Sequence, residues 1–263
     1  MLPGFLIALL FPVTFACTSC QAGRLQPRSE GAEFSYNGLT GPVDWDQFAN
    51  TCGTGKTQSP INIVLNSQTS TGDIANYADI GSAGFDLITL ATRSSVSTKD
   101  KKLRWEALNI FHFHTPSEHR LNNQWYPLEV HFVHQGKTDA TNLAVVGIFF
   151  NVNERNRSEP MIKRMAELLK KITKKGDSVT ATDVHLRGIR RAIMHSKKYT
   201  YTGSLTTPPC TEGVAWFIST DIIDISIADL NMFKKVMQYN ARDLQAGIGE
   251  TNIVEYASQY LAP

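Results

Sequence analysis

Phe111-His112-Phe113-His114 and, further on, Leu128-Glu129-Val130-His131 alternate apolar and polar residues with a period of two. That period is the mark of a half-buried strand, in which side chains at i and i+2 leave by the same face. His112 and His114 therefore point together, while Phe111 and Phe113 point away. A third imidazole, His131, on a neighbouring strand would complete three nitrogen donors around one metal. Three protein ligands with one open position distinguish a catalytic zinc site from a closed structural one. The competing reading is accident, since a lone His-x-His has many false positives. Accident would also have to explain the carboxylates nearby.

The same parity extends outward. Glu129 lies two residues before His131, so both project from one face, and its carboxylate can accept the distal ring N–H and fix the tautomer. His134 is three residues from His131, an odd offset that turns it to the other face as a structural residue. His119, just past the turn Thr115-Pro116-Ser117-Glu118, also reads as structural. Glu118 stays near the metal because it follows His114 by four residues. In Gly203-Ser204-Leu205-Thr206-Thr207-Pro208-Pro209-Cys210 the proline pair locks the loop and makes two threonine hydroxyls fixed polar groups.

The chain has 263 residues, 42% hydrophobic and 19% charged, ordinary values for a globular protein with a sizeable core. A formal charge of +2 is too weak to argue for nucleic acid or an anionic surface as partner, and no nucleic-acid partner is expected. The clusters Lys99-Asp100-Lys101-Lys102 and Lys170-Lys171/Lys174-Lys175 read as solvated faces. Residues 1–20 read as a secretory signal: Leu2 to Ala16 is almost wholly apolar, too short to span a membrane, and small residues follow. Cleavage is expected between Ala16 and Gly23. Residues 21–32 read as a flexible polar segment and 33–263 as one domain without internal repeats. No second long apolar run is present, so no membrane span is expected, and Tyr-Leu-Ala-Pro at the C-terminus offers no lipid-anchor tail. The expected product is a secreted protein, in the extracellular, cell-wall or periplasmic space, and a monomer or weak dimer.

Cys17 and Cys20 lie in or beside the signal, which leaves Cys52 and Cys210 as the expected disulfide of an oxidising compartment. Asn156-Arg157-Ser158 is a glycosylation sequon, making Asn156 a candidate acceptor. Strands are expected over Leu108–His114, Leu128–His134, Leu143–Phe150 and Val214–Ile218. A helix is expected over Glu159–Ile172, capped by Ser158, with Pro160 in its first turn and Gly176 ending it. A second, Ile227–Gln238, opens on the Ser226/Asp229 capping box, with Leu230, Phe233, Val236 and Met237 facing inward. The chain is thus mainly β with peripheral helices.

Phe111 to His119, Leu128 to His134 and Tyr201 to Cys210 together resemble the alpha-class carbonic anhydrases, and Gln58-Ser59-Pro60-Ile61-Asn62 matches that family's early segment. The Tyr36 region is similar as well, so the resemblance runs from about Phe34 to the C-terminus. It implies a single domain around a central, mostly antiparallel, twisted β-sheet with Zn2+ at the base of a conical cleft. His112, His114 and His131 would be the ligands and water the fourth. The implied reaction is reversible hydration of carbon dioxide to bicarbonate and a proton, by attack of zinc-bound hydroxide. Thr206 would accept a hydrogen bond from that hydroxide and donate its own proton to Glu118, while Thr207 would help seat bicarbonate. Val133, Val145, Leu205, Val214 and Trp216 would form the apolar wall for carbon dioxide. Zinc lowers the pKa of its water to about 7, against 15.7 in bulk, a value long established for carbonic anhydrase itself.

The sequence departs from the family pattern twice. Where the family places a Gln to accept the first ligand's ring N–H, this chain has Ile110, and parity turns the adjacent Asn109 away. All seven histidines lie at or after residue 112, so none precedes the ligand strand as a proton shuttle; His185 or His195 is the remaining candidate. The stretch 66–104 is shorter than the family norm. These features carry an alternative: a catalytically weakened relative acting as a binding or storage protein.

Overall fold

The computed structural model describes residues 5–7, 34–64, 95–97, 104–136, 139–173, 179–181, 184–196 and 198–245. Its centre is a seven-stranded mixed sheet. The strands are β1 (Ser95–Ser97), β2 (Arg104–His114), β3 (Leu128–Gly136), β4 (Leu143–Val152), β5 (Lys198–Ser204), β6 (Glu212–Ser219) and β7 (Ile223–Ile225). The order is β1-β2-β3-β4-β6-β5, with β7 also pairing with β4. Four pairings are antiparallel; β4 runs parallel to β6 and to β7. Residues 1–20, read as a signal, and the 66–104 segment fall almost wholly outside the described residues.

Alternation divides the core into two faces. Phe113, Val130, Phe132, Val146, Ile148, Phe150 and Phe217 turn to one face and pack against helices. Those helices are α2 (Pro160–Leu169), α3 (Arg187–His195) and α4 (Ile227–Met237), following the short α1 (Asn50–Thr54). α2 buries Met161, Ile162, Met165, Ala166, Leu168 and Leu169 at helical spacing. Each large apolar side chain buried there contributes about 1.5–3 kcal/mol. The opposite face carries Val145, Phe149, Val214, Trp216 and Ile218, and it is the face of the histidines.

Three expectations about the helices change. The cap of α2 is Glu159, whose carboxylate accepts from the Met161 and Ile162 N–H groups; a carboxylate satisfies two orphan donors where a hydroxyl satisfies one. Ser158 is drawn into the other helix start: its hydroxyl donates to the Asp229 carboxylate and accepts from Ser226 N–H. Ser226 itself caps α4. α2 ends at Leu169, ahead of Gly176, which lies outside the described residues. α3 went unread because its apolar set, Ile189, Ala192 and Ile193, is short and crowded by arginines.

Cys52 and Cys210 form a disulfide across a sequence separation of 158. A bridge that long restricts the unfolded chain by about 5 kcal/mol in the chain-entropy description. It ties α1 to the Thr206–Cys210 loop.

Candidate metal centre

His112 and His114 on β2 lie beside β3, where His112 pairs with His131 and His114 pairs with Glu129. One ligand atom from each of the three rings lies within 4.8 Å of the others. The Asn240 carbonyl accepts from His114 Nδ1 at 2.7 Å, which leaves Nε2 as a bare lone pair. That Nε2 is buried without a hydrogen-bond partner. His131 donates through Nε2 to Glu129 Oε1 at 2.8 Å, leaving Nδ1 bare. Two rings thus offer opposite nitrogens, each oriented by a bond at its far side. Burial lowers the pKa of all three imidazoles, and their mutual proximity lowers His112 further. Neutral rings with unsatisfied buried lone pairs are what a divalent metal needs, and the donor set of three imidazoles suits zinc.

Gly147 explains why the strands can approach. It sits opposite His131 on β4, and a Cβ there would lie 2.7 Å from Ile218 Cδ1 and 3.1 Å from Glu129 Oε1.

His119, Glu129 and His131 form a second group within metal-binding reach, but its donors are committed. Glu129 Oε1 accepts from His119 Nδ1 at 2.8 Å as well as from His131, and Oε2 accepts the backbone N–H groups of Glu118 and His119. His119 Nε2 then accepts from the Tyr201 hydroxyl at 2.6 Å, which accepts in turn from Ser59. These bonds hold the Glu129 carboxyl well below the usual range despite its burial. His134 is buried on the helix side of the sheet, where burial lowers its pKa to about 4.

Glu118 Oε2 faces the bare nitrogens, 3.4 Å from His114 Nε2 and 3.8 Å from His131 Nδ1. Its Oε1 accepts from the Arg242 backbone N–H at 2.9 Å. Burial pushes this carboxyl up to about 7, against the opposing pull of His131, Thr206 and Arg242. The buried Thr206 hydroxyl acts on the carboxyl without reaching full hydrogen-bond geometry at Oε2. Behind it, the Arg242 guanidinium donates to Gln58 Oε1, the Ser59 carbonyl and the Cys52 carbonyl. Gln58 Nε2 donates to the Cys210 carbonyl. Arg242 therefore joins Glu118 through its backbone N–H to the early Gln58-Ser59-Pro60 segment and the Cys52 arm through its guanidinium, and Gln58 extends the link to Cys210.

Val145, Val214 and Trp216, with the partly buried Val133 and Leu205, share one cluster on the histidine face. Trp216 packs edge-on against His131 at 4.8 Å and donates to the Ser204 carbonyl. Thr207 is partly exposed beside Thr206, and its carbonyl accepts from Cys210 N–H. Asn156 is exposed, and its Oδ1 accepts from Ile227 N–H. His185 precedes α3, whose buried residues belong to the helix side, so it stands across the sheet from the three rings. The side chains of Asn109, Ile110 and His195 lie outside the described residues. The β2–β3 ladder shifts register between Ala107 and Ile110, so simple parity does not carry through Asn109.

Arg242 and Asn240 escaped the sequence reading, and Ser59 entered it only as part of the Gln58-to-Asn62 match, without a role. Their roles come from contacts across more than a hundred residues.

The family model described as eukaryotic-type carbonic anhydrase matches residues 40–253. A solved structure of a fungal alpha carbonic anhydrase from Aspergillus oryzae is similar with a TM-score of 0.70 and 34% identity, covering 87% of this chain and 99% of that one. A carbonic anhydrase of Pectobacterium atrosepticum is 30% identical over 92% of this chain and 95% of its own length. Dioscorin dioA3 of Dioscorea japonica is 28% identical over 94% of this chain and 91% of its own length.

Proposed function

Given that this chain belongs to the eukaryotic-type carbonic anhydrase family, we propose that it is a secreted zinc enzyme that interconverts carbon dioxide and water with bicarbonate and a proton. The observation that carries this is the convergence of three neutral imidazoles, one with a buried nitrogen that has no hydrogen-bond partner, beside the Glu118 carboxyl. His112, His114 and His131 would hold Zn2+. When bound, zinc supplies a water acidic enough to lose its proton near neutral pH and a positive charge next to the reacting oxygen.

The protein's own groups then have defined tasks. Glu129 and the Asn240 carbonyl hold two ligand rings in their tautomers. Positive charge in the site would bring the raised Glu118 pKa down, keeping it an acceptor. As a carboxylate, Glu118 takes the Thr206 O–H, so the Thr206 oxygen is left to accept and orients the nucleophile. Thr207 would seat bicarbonate. Val133, Val145, Leu205, Val214 and Trp216 would hold carbon dioxide on a surface with no competing hydrogen bonds.

Export is supported by the apolar N-terminus and the Cys52–Cys210 disulfide. Among the described residues no helix is long and apolar enough to cross a membrane. We read 1–20 as the signal, 21–32 as a polar lead-in and 33–263 as the domain. A second reading, a weakened relative kept for binding or storage, is favoured by Ile110 in place of the family's glutamine. Stopped-flow hydration of carbon dioxide by zinc-loaded and chelated protein separates the two. Rapid turnover that disappears with the metal supports the enzyme; zinc bound stoichiometrically without turnover supports the binder.

A further inference from the structure

The charge of this chain is unevenly placed. Of its 26 Lys and Arg and 24 Asp and Glu residues, thirteen basic and five acidic ones fall between Glu154 and Lys198. That segment is net +8, and the rest of the chain is net −6. The overall value of +2 conceals this.

The fold places part of these cations, among the described residues, on the outer faces of two helices. α2 and α3 both pack on the helix side of the sheet, away from the histidines. Their inward faces are apolar, so their outward faces carry the charge. Lys163 on α2 and Lys170 at its C-cap lie exposed seven residues apart, about 10 Å along one stripe. Arg187 and Arg191 lie exposed one turn apart on α3. The start of α2 and the first half of α3 meet at a cavity bordered by Arg157 and Arg191. Glu159, Asp221 and Asp224 border that cavity too, so its two arginines face three acidic residues and it is not the site. Glu167 lies exposed between the two lysines and pairs with Arg164 at 3.3 Å, and Glu154 is exposed ahead of α2. The cations still outnumber the acids on the helix surfaces.

We propose that the outer face of α2 and α3 is a docking surface for an anionic polysaccharide, holding the protein by its back while the histidine side stays open. Apart from Pro160, the described exposed positions of both helices are charged, not apolar, which disfavours insertion into a bilayer. They offer no aromatic side chain for base stacking. The choice of a glycan over nucleic acid rests on the exported reading above, since polyanions met outside the cell are chiefly carboxylated or sulfated sugars. Such binding is driven by counterion release and should fall steeply with salt.

The test uses the zinc-loaded protein on immobilised heparin as a sulfated glycan and on polygalacturonate as a carboxylated one. Duplex DNA and vesicles of phosphatidylcholine with phosphatidylserine are run alongside. A Lys163→Glu/Lys170→Glu/Arg187→Glu variant should bind either glycan at least tenfold more weakly and elute at lower salt. The matching glutamine triple should fall between it and the parent. Carbon dioxide hydration and Tm should not move. A Lys99→Glu/Lys101→Glu/Lys102→Glu control changes net charge equally outside the basic segment and should bind like the parent. The proposal is overturned if neither glycan is retained at 0.1 M salt, on the order of physiological ionic strength. It is equally overturned if both triples elute together, or if DNA or vesicles bind as tightly through the same three residues.

Discussion

Glu129 and His131 stand two residues apart on β3, and the Glu129 Oε1 that accepts the His131 Nε2–H also accepts the His119 Nδ1–H, each at 2.8 Å. One oxygen therefore fixes a candidate ligand ring and a structural ring together. In Glu129→Gln an amide oxygen or amino group takes that place, and the paired donors lose charge-assisted acceptance. Zinc affinity should fall about 10–100-fold, the usual cost of losing a ligand's orienting partner. Competition against a chromophoric chelator measures it, and an unchanged affinity would show that His131 needs no such support.

Ile110 removes the corresponding support from His112, because an aliphatic side chain accepts no hydrogen bond. Ile110→Gln should tighten zinc by about 10–100-fold, the converse of the Glu129 change. An unchanged dissociation constant would mean that His112 is already held in its productive orientation.

Much of this site was legible because its information is local. Strand parity within Phe111–His114 and Leu128–His131 groups the histidines and Glu129, and the capping residues of α4 sit three apart. What stayed hidden has its cause elsewhere in the chain. Arg242 reads as one arginine among many, yet its contacts reach Cys52, Gln58, Ser59 and Glu118. Ser158 reads as a cap for the nearest helix, but Glu159 next to it satisfies two N–H groups and releases Ser158 to α4. Among its described residues α3 carries three buried apolar side chains, too few to stand out by period.

Arg242 tests how far the strap behind Glu118 matters. In Arg242→Leu the guanidinium is gone, and Gln58, Ser59 and Cys52 each lose a buried donor. Stability should drop by about 3–5 kcal/mol, read by urea unfolding. The Arg242 backbone N–H remains, so zinc affinity should change far less than in Glu129→Gln. A loss of metal equal to that of Glu129→Gln would show that the strap holds the ligands directly.

His134 should make the protein acid-sensitive. Burial lowers its pKa from 6.5 to about 4, so the folded state holds it neutral where the unfolded chain would protonate it. The stability it contributes is fully present above pH 6.5 and is lost as pH falls toward 4, by a few kcal/mol. Tm of the parent and of His134→Leu, followed across that window, should converge as pH falls. Parallel curves would assign the acid sensitivity to other groups.

Proton removal is the step for which this chain shows least provision. No histidine precedes the ligand strand in the sequence, and His185 stands on the helix side of the sheet. Without an internal relay, protons must leave to buffer molecules that diffuse into the cleft, and the rate of that step scales with buffer concentration. Turnover in stopped-flow hydration should therefore rise with added imidazole, whose pKa near neutrality suits both capture and release, while kcat/KM stays constant. His185→Ala should leave both parameters as they are. A turnover number that ignores imidazole but falls in His185→Ala would place a relay through the helix side, against the geometry of the sheet.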